Sequence, residues 1–487
     1  MTEVKRGRSA FLAANLILGS STIVRFAMGI AKTKLSAAIL GPAGVGVVGL
    51  GVQLETLGCG LATTIVGTGL STQLSIFLKK KDEQAKYGLL STAFTLLILT
   101  SLVLIGVGFV FERRLAAWAF GDASYSHCLV PIFIAIPLHT LVGSFFIRFF
   151  YCYGELKYYA RASMIAGVVE AVSYIILVRY FGPAGAFWGI ALGMSSWLAM
   201  CLFFSSRFER LKNIFKLRIT KIYVKELVVS GFVMSAAGSL LYLMNALVRI
   251  HIIRVFGAAS GGIYQVVLAL SAYYLPYLTN GVWARLNPKV SAEGLGAEVM
   301  YEWTEALCLI AILAAAAQLG LMWVVRFFVS IVYTKAFLDA VPIVPIQLLG
   351  DFFYLIAQPA LGVVLGLSRM RTYFVVWVIY IGTQYGLTLL LSQLIGLRGV
   401  AVAYLVSNLG LACYGIVLYA AAMRRQRRKR ILMTLAVLGI SGLAVSTGTV
   451  FFVSDTALFP KAALLASWGL CVAAVFYFPR VRAAVLT

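Results

Sequence analysis

Leu40-Gly-Pro-Ala-Gly-Val-Gly46 and Phe256-Gly-Ala-Ala-Ser-Gly-Gly262 are the stretches on which the fold turns. Each joins two long apolar segments through a glycine-rich turn, and Gly41 and Gly257 stand 216 residues apart. A second pair of turns repeats the arrangement. Tyr180-Phe-Gly-Pro-Ala-Gly-Ala186 and Leu394-Ile-Gly-Leu-Arg-Gly-Val400 place Gly182 and Gly396 at a separation of 214. Gly154-Glu-Leu-Lys-Tyr-Tyr-Ala-Arg161 is echoed by Gly366-Leu-Ser-Arg-Met-Arg-Thr-Tyr373 at an offset of 212. Glycine turns alone are a weak signal, because tight helical hairpins favour glycine anyway. Three landmarks in one order at nearly one spacing predict two six-helix halves of parallel orientation, a transporter architecture with its substrate site between the repeats.

Composition sets the environment. Of 487 residues, 61% are hydrophobic and only 12% charged, and the mean hydropathy is +0.95. That leaves too little polar surface to cover a water-soluble globule, which excludes a soluble enzyme, a disordered chain and a fibrous protein. A span needs about 20 apolar residues. On that ruler the chain carries fourteen candidates: 10–39, 43–77, 88–111, 129–151, 160–181, 184–206, 227–253, 261–284, 304–331, 340–367, 372–395, 398–422, 431–453 and 459–478. The expected fold class is an all-α polytopic membrane protein of about fourteen transmembrane helices. Its expected lobes are 1–222 and 223–425, with an appended helix pair in 426–487 that has no counterpart in the repeat.

The net charge of +24 follows membrane topology. With both termini placed in the cytoplasm, 28 Lys and Arg fall in inner segments and 7 in outer loops, as the positive-inside rule requires. Nucleic-acid binding is therefore not expected, and the first span is expected to serve as its own insertion signal.

Cations inside the spans carry more information. Each costs about 2.5–3.5 kcal/mol at the centre of a lipid-facing helix, so it has to face protein or water. Arg148 and Arg326 lie near helix ends, where snorkelling accounts for them. Arg25 sits near the middle of the first span, and Lys32, seven residues on, shares its helical face. Lys34 lies nearby, and Arg249 matches Thr33 on the 216-residue offset. These four are the candidate anion-binding cations, with Arg25 and Arg249 expected to clamp a diphosphate together. Glu55, Glu170 and Asp351 are the acids well inside spans, read either as partners of those arginines or as sites for a coupling cation or proton. Tyr264, Tyr273, Tyr274 and Tyr277 are candidate sugar-stacking aromatics, with an interfacial belt as the alternative. Pro276, Pro288 and Pro359 are expected to break the eighth and tenth spans or their ends.

The seven cysteines and the histidines 127, 139 and 251 show no disulfide framework and no metal-ligand spacing. No metal and no cofactor is expected, and no Walker loop or Ser/His/Asp set marks an enzyme or an ATP-driven pump.

The pattern running from Arg25 through Lys34-Leu to Gly41-Pro-Ala-Gly44 resembles that of bacterial lipid-linked oligosaccharide flippases, of the polysaccharide-transport branch of the multidrug/oligosaccharidyl-lipid/polysaccharide (MOP) exporter superfamily. Flippases for O-antigen and enterobacterial common antigen carry a cation at the position of Arg25 and a lysine at that of Lys34. Gln347-Leu-Leu-Gly-Asp351 followed by Gly366-Leu-Ser-Arg369 is similar to the tenth-span region of the same group. The resemblance covers 10–425 and implies a V-shaped, two-lobed bundle in the bacterial inner membrane, working by alternating access. It implies transport of an undecaprenyl-pyrophosphate glycan from the cytoplasmic to the periplasmic leaflet for surface polysaccharide assembly. Because outward passage of about two negative charges is favoured by the membrane potential, that potential is the expected drive, with H+ or Na+ at Asp351 or Glu55 as an optional coupling ion. The implied partners are membrane lipids and a polysaccharide polymerase or chain-length complex. Fourteen spans rather than twelve match the lipid II flippases of the superfamily, which makes lipid II the second reading. A cation-coupled multidrug exporter and a non-transporting assembly scaffold complete the alternatives.

Overall fold

A computed structural model describes residues 2–207, 211–423, 440–442 and 445–447. The expected thirteenth and fourteenth spans, and with them the appended helix pair, lie outside the described residues apart from two three-residue pieces. The described residues are helical, with no strand among them. They form α1 (Thr2–Thr63), α2 (Gly69–Lys80), α3 (Glu83–Val110), α4 (Glu112–Phe120), α5 (Ser126–Thr140), α6 (Ile147–Cys152) and α7 (Leu156–Ser205). After these come α8 (Leu211–Ile214), α9 (Lys221–Glu293), α10 (Ala297–Val332), α11 (Val344–Gly366), α12 (Met370–Ile395) and α13 (Leu397–Met423). Nine of these segments are long and apolar enough to cross a membrane, several of them double-length. This is a multi-pass α-helical membrane protein.

The double-length helices bend at the landmark glycines. Gly41 (φ 63°, ψ −172°) divides α1, Gly182 (φ 57°, ψ −137°) divides α7 and Gly257 (φ 85°, ψ 163°) divides α9. Gly396 (φ 65°, ψ −147°) separates α12 from α13. This corner of backbone space is open essentially to glycine alone. Pro42 and Pro183 follow two of the hinges, where a missing N–H costs nothing at the start of a new helix.

The repeat extends to details the sequence alone leaves hidden. A Cβ on Gly185 would lie 2.0 Å from the Leu177 carbonyl oxygen, and one on Gly399 would lie 2.1 Å from that of Leu391. Both relationships are 214 residues apart. Further positive-φ residues pair up too: Lys81 (φ 55°) with Gly294 (φ 65°), and Gly154 (φ 71°) with Ser368 (φ 56°). The last pair corrects the 212-residue offset. Gly154 is matched by Ser368 at 214, not by Gly366, because the turn and not the glycine is what repeats.

The chain divides into two compact units, Met1–Gly262 and Ile263–Thr487. Unit 1 therefore takes in the seventh span as well as the first six. A Cβ on Gly46 would meet the Ala258 carbonyl oxygen at 2.1 Å, and one on Gly262 that of Pro42 at 1.9 Å. The two turns thus interlock reciprocally within this unit. Its core also holds Phe145, Phe146, Phe149 and Phe150, all buried, with edge-on ring pairs at 5.2 and 5.6 Å. In unit 2, α11 is buried on nearly every face, so its apolar residues run all round instead of along one stripe. Trp303 of α10 packs edge-on against Tyr419 of α13 at 5.3 Å.

Two expectations about helix breaks are corrected. Pro276 and Pro288 lie inside α9, and Pro359 lies inside α11. None of them introduces a non-helical residue, the departure within α9 being at Gly257. Membrane helices absorb proline where neighbouring groups take up the freed carbonyl. The second span breaks instead, at residues 64–68 between α1 and α2. There the hydroxyls of Thr63, Thr64 and Ser239 converge on the Gly60 carbonyl oxygen, at 3.0, 2.9 and 2.8 Å, with Ser239 also within reach of the Ser235 carbonyl at 2.9 Å. Side-chain donors of this kind compete with the helical ladder, and Gly67 at φ 42° completes the turn.

Candidate functional site

Within unit 1, three polar pairs lock the first segment of α1 onto the first segment of α7. Arg25 Nη1 donates to Ser163 Oγ at 3.2 Å, Lys32 Nζ is ion-paired with Glu170, and Ser36 Oγ meets the Tyr174 hydroxyl at 2.8 Å. All three pairs are 138 residues apart. A constant difference means parallel helices in register, with partners seven and then four residues on along both. Ser36 gives its own proton to the Lys32 carbonyl oxygen at 2.7 Å. The Tyr174 hydroxyl is therefore the donor to Ser36.

Arg25 differs from the cation one step along the ladder. Its guanidinium carbon stands 4.4 Å from the centre of the Trp197 ring, on the second segment of α7, and the residue is exposed. Gly167 makes room for its stem, a Cβ there falling 3.4 Å from Arg25 Cγ. No carboxylate pairs with Arg25 among the described residues. Stacking on the indole face orients a guanidinium without neutralising it. Lys34 is exposed as well, whereas Lys32 is mostly covered and neutralised by Glu170.

The expected clamp of Arg25 with Arg249 is not formed. Arg249 is half-buried, and its Nη1 donates to the Gly49 carbonyl oxygen at 2.8 Å, on the α1 segment beyond the Gly41 hinge. Arg25 lies sixteen residues before its hinge and Arg249 eight before Gly257. Since the two hinges interlock, about 12 Å of helix axis separates their levels at 1.5 Å per residue. Sequence periodicity gave the correct depth for Arg249 relative to Thr33, but no information on what its side chain reaches.

Glu55, expected as a partner of Arg25, is buried and lies 3.1 Å from His139 Nδ1 instead. Cys59, one turn along α1, completes a group whose ligand atoms all fall within 4.8 Å of one another. The expectation of no clustered metal-type ligands is thereby corrected. Glu55 and Cys59 share a helical face at i and i+4, while His139 arrives from α5, too distant in sequence for any spacing rule to see.

In unit 2, Asp351 is fully buried on α11. Ser271 donates to Oδ2 at 2.6 Å, Tyr274 to Oδ2 at 2.8 Å and Tyr404 to Oδ1 at 2.8 Å. Behind them Gln318 Nε2 donates to the Tyr274 hydroxyl at 2.9 Å, and Tyr264 donates to Gln347 Oε1 at 3.1 Å. Neutral hydroxyls surround this carboxylate, and no cation pairs with it among the described residues. The carboxylate is thus satisfied by neutral donors alone. The arrangement also corrects the reading of the aromatics. Tyr264 and Tyr274 face inward to this network, and of the four only Tyr277 is exposed, Tyr273 being half-buried. Ser271, Gln318 and Tyr404 carried no signal of their own in the sequence.

Arg285 and Lys289, read as topology markers, also do structural work. Lys289 Nζ bonds Glu302 at 2.5 Å and Glu298 at 3.2 Å, and Arg285 lies 3.5 Å from Glu302 and 3.7 Å from Glu305. These contacts staple the end of α9 to the start of α10 around the buried Glu302.

The site residues thus comprise an exposed cation in one unit and, in the other, a buried carboxylate ringed by hydroxyls, neither with an opposite charge paired to it among the described residues. Comparison with solved structures shows that the fold is shared with several membrane proteins. The lipid II flippase MurJ in an inward-closed conformation superposes with a TM-score of 0.69 at 13% identity, covering 96% of this chain and 99% of that one. An inward-facing multidrug resistance MATE family transporter of the MOP superfamily gives 0.68 at 12% identity, covering 83% and 99%. A MATE transporter in complex with MaL6 gives 0.60 at 13%, covering 87% and 97%. No protein-family profile and no curated protein sequence matches the chain.

Proposed function

We propose that this protein is a flippase for an undecaprenyl-pyrophosphate-linked oligosaccharide, moving it from the cytoplasmic to the periplasmic leaflet of the bacterial inner membrane, with both termini cytoplasmic. The observation that carries the reading is Arg25: an exposed guanidinium in a spanning helix, over the Trp197 ring and paired with no acid among the described residues. A cation at that depth has to face protein or water, and such residues commonly mark substrate pathways. The proposed diphosphate is anionic, and guanidinium matches its paired oxygens. Lys34 is the second contact. Lys32, already neutralised, holds the surface in place.

Outward passage of about two negative charges gains about 4–5 kcal/mol at 100 mV. The membrane potential therefore supplies the main drive, and Asp351 in its hydroxyl nest is the place for a coupling H+ or Na+. The glycan feeds surface polysaccharide assembly, with a polymerase or chain-length complex as downstream partner.

Lipid II is the second reading, favoured by the likeness to MurJ over nearly the whole of both chains. It has the same diphosphate and differs in the sugar. Multidrug export is less well supported, since an exposed cation repels cationic drugs.

Native mass spectrometry tests the proposal. Wild-type protein should retain undecaprenyl-pyrophosphate glycans that Arg25→Ala loses. Equal retention by both would refute the role of Arg25, and competition between lipid II and longer glycans separates the two substrate readings.

A further inference from the structure

We propose that Glu55, Cys59 and His139 form a transition-metal site of the zinc type, which fastens the second segment of α1 to α5 inside unit 1. The proposal is independent of the transport reading and uses none of its residues.

Three independent features build the site. The first is geometry. The carboxylate and imidazole are 3.1 Å apart, and the thiol joins them within 4.8 Å. Tetrahedral zinc with bonds of about 2.0–2.3 Å needs donors roughly 3.2–3.8 Å apart. One pair is within about 0.1 Å of that range, and the thiol has to approach by about 1 Å to complete the set.

The second is backbone. A Cβ on Gly58 would meet Ile136 Cδ1 at 2.5 Å, so α1 approaches α5 closely beside Cys59. Cys59 Sγ lies 3.6 Å from the Ile136 carbonyl oxygen, and Gly143 leaves space beside the His139 ring. Directly after Thr140 the helix widens into a π turn, Leu141–Phe146. Single π turns within α-helices concentrate at functional sites, where they re-aim side chains.

The third is charge. Thiolate, carboxylate and neutral imidazole carry two negative charges between them, which a divalent ion cancels. The loaded cluster is neutral, as a site with Glu55 only 4% exposed requires. The mixed sulfur, nitrogen and oxygen set suits Zn2+ or Co2+ over the hard Mg2+ and Ca2+. On binding, the metal displaces the thiol proton, while the imidazole ligates through one nitrogen and keeps its proton on the other. Three protein ligands leave a fourth position open. About a third of the His139 side chain is exposed, which gives the ion an entry.

The test uses purified full-length protein, chelator-stripped and then titrated with Co2+, whose thiolate complexes absorb in the near ultraviolet. Wild type should take up about one equivalent with a thiolate-to-cobalt band, and Zn2+ should displace it. Cys59→Ser should lose the band, and His139→Gln should weaken binding by at least about tenfold. Cys152→Ser, which alters a half-buried cysteine bonded to Ser71 and Ser75 outside the cluster, should behave as wild type. No band on wild type, or a band that survives Cys59→Ser, overturns the proposal. Should Cys59→Ser fail to fold, Zn2+ protection of Cys59 from maleimide in the wild type decides. Protection that maps to Cys59 supports the site, and unchanged labelling sinks it.

Discussion

Lys32 and Glu170 form an ion pair between two parallel helices, one register step along from the bond between Arg25 and Ser163. The ladder thus has two kinds of rung. One is closed by opposite charges and leaves nothing over, while the next is closed by a neutral hydroxyl and leaves Arg25 charged. The same segment of α1 is in this way fixed to its neighbour while presenting one exposed cation.

Removing one partner of the closed rung strands the other. Glu170→Gln leaves Lys32 facing apolar surroundings and should destabilise the protein by about 1–3 kcal/mol, below the 3–5 of a fully buried pair because Lys32 retains some exposure. Adding Lys32→Met should restore much of the loss. A double-mutant cycle on thermal unfolding in detergent reads the coupling, and additive effects would show that the two side chains do not interact.

Arg25 should respond differently. Since it is exposed, Arg25→Ala should destabilise the protein by no more than about 1–1.5 kcal/mol, for the lost Ser163 and Trp197 contacts, while lowering diphosphate-lipid binding by tenfold or more. Arg25→Lys keeps the charge but loses the two-pronged fork, and should fall between them. A large stability loss with unchanged binding would make Arg25 a structural residue.

Asp351 is the test of coupling. Asp351→Asn retains shape and loses charge, so any dependence of transport on a pH or Na+ gradient should vanish in reconstituted liposomes while dependence on membrane potential persists. Ser271→Ala, which removes one of three hydroxyl donors, should weaken the ion dependence without abolishing it. Gradient-driven transport surviving in Asp351→Asn would place the coupling elsewhere.

The backbone repeat predicts opposite signs for opposite substitutions. Ser368 and Lys81 sit at positive φ without being glycine, so Ser368→Gly and Lys81→Gly should each stabilise by up to about 1 kcal/mol. Gly182→Ala and Gly396→Ala should each destabilise by about 1–2 kcal/mol. Gly185→Ala and Gly399→Ala should cost more, because the added methyl would lie about 2 Å from a carbonyl oxygen. Urea or thermal unfolding of the six variants decides, and Gly399→Ala behaving like wild type would contradict the matched crossing.

The sequence by itself determined what depends on one-dimensional properties. Hydropathy gave the membrane environment and the span positions, since a bilayer imposes a length and a polarity on every segment alike. Glycine spacing located the hinges at 41, 182, 257 and 396, because only glycine enters that backbone region and so it leaves a mark in the residue type itself. Helical periodicity put Arg25 and Lys32 on one face. Tertiary structure alone decided which charge meets which. Glu170 went to Lys32, Glu55 to His139, Asp351 to three hydroxyls and Arg249 to a backbone carbonyl, each across 53 to 200 residues of chain. Such choices are made by helix packing within a low-dielectric interior, where a few ångströms of approach decide the partner. Residues such as Tyr404, Gln318 and Cys59 acquire a role only through what the fold lays beside them. The proline positions teach the converse: a strong local signal at Pro276 and Pro359 was overridden, and the break fell where three hydroxyls converge on the Gly60 carbonyl.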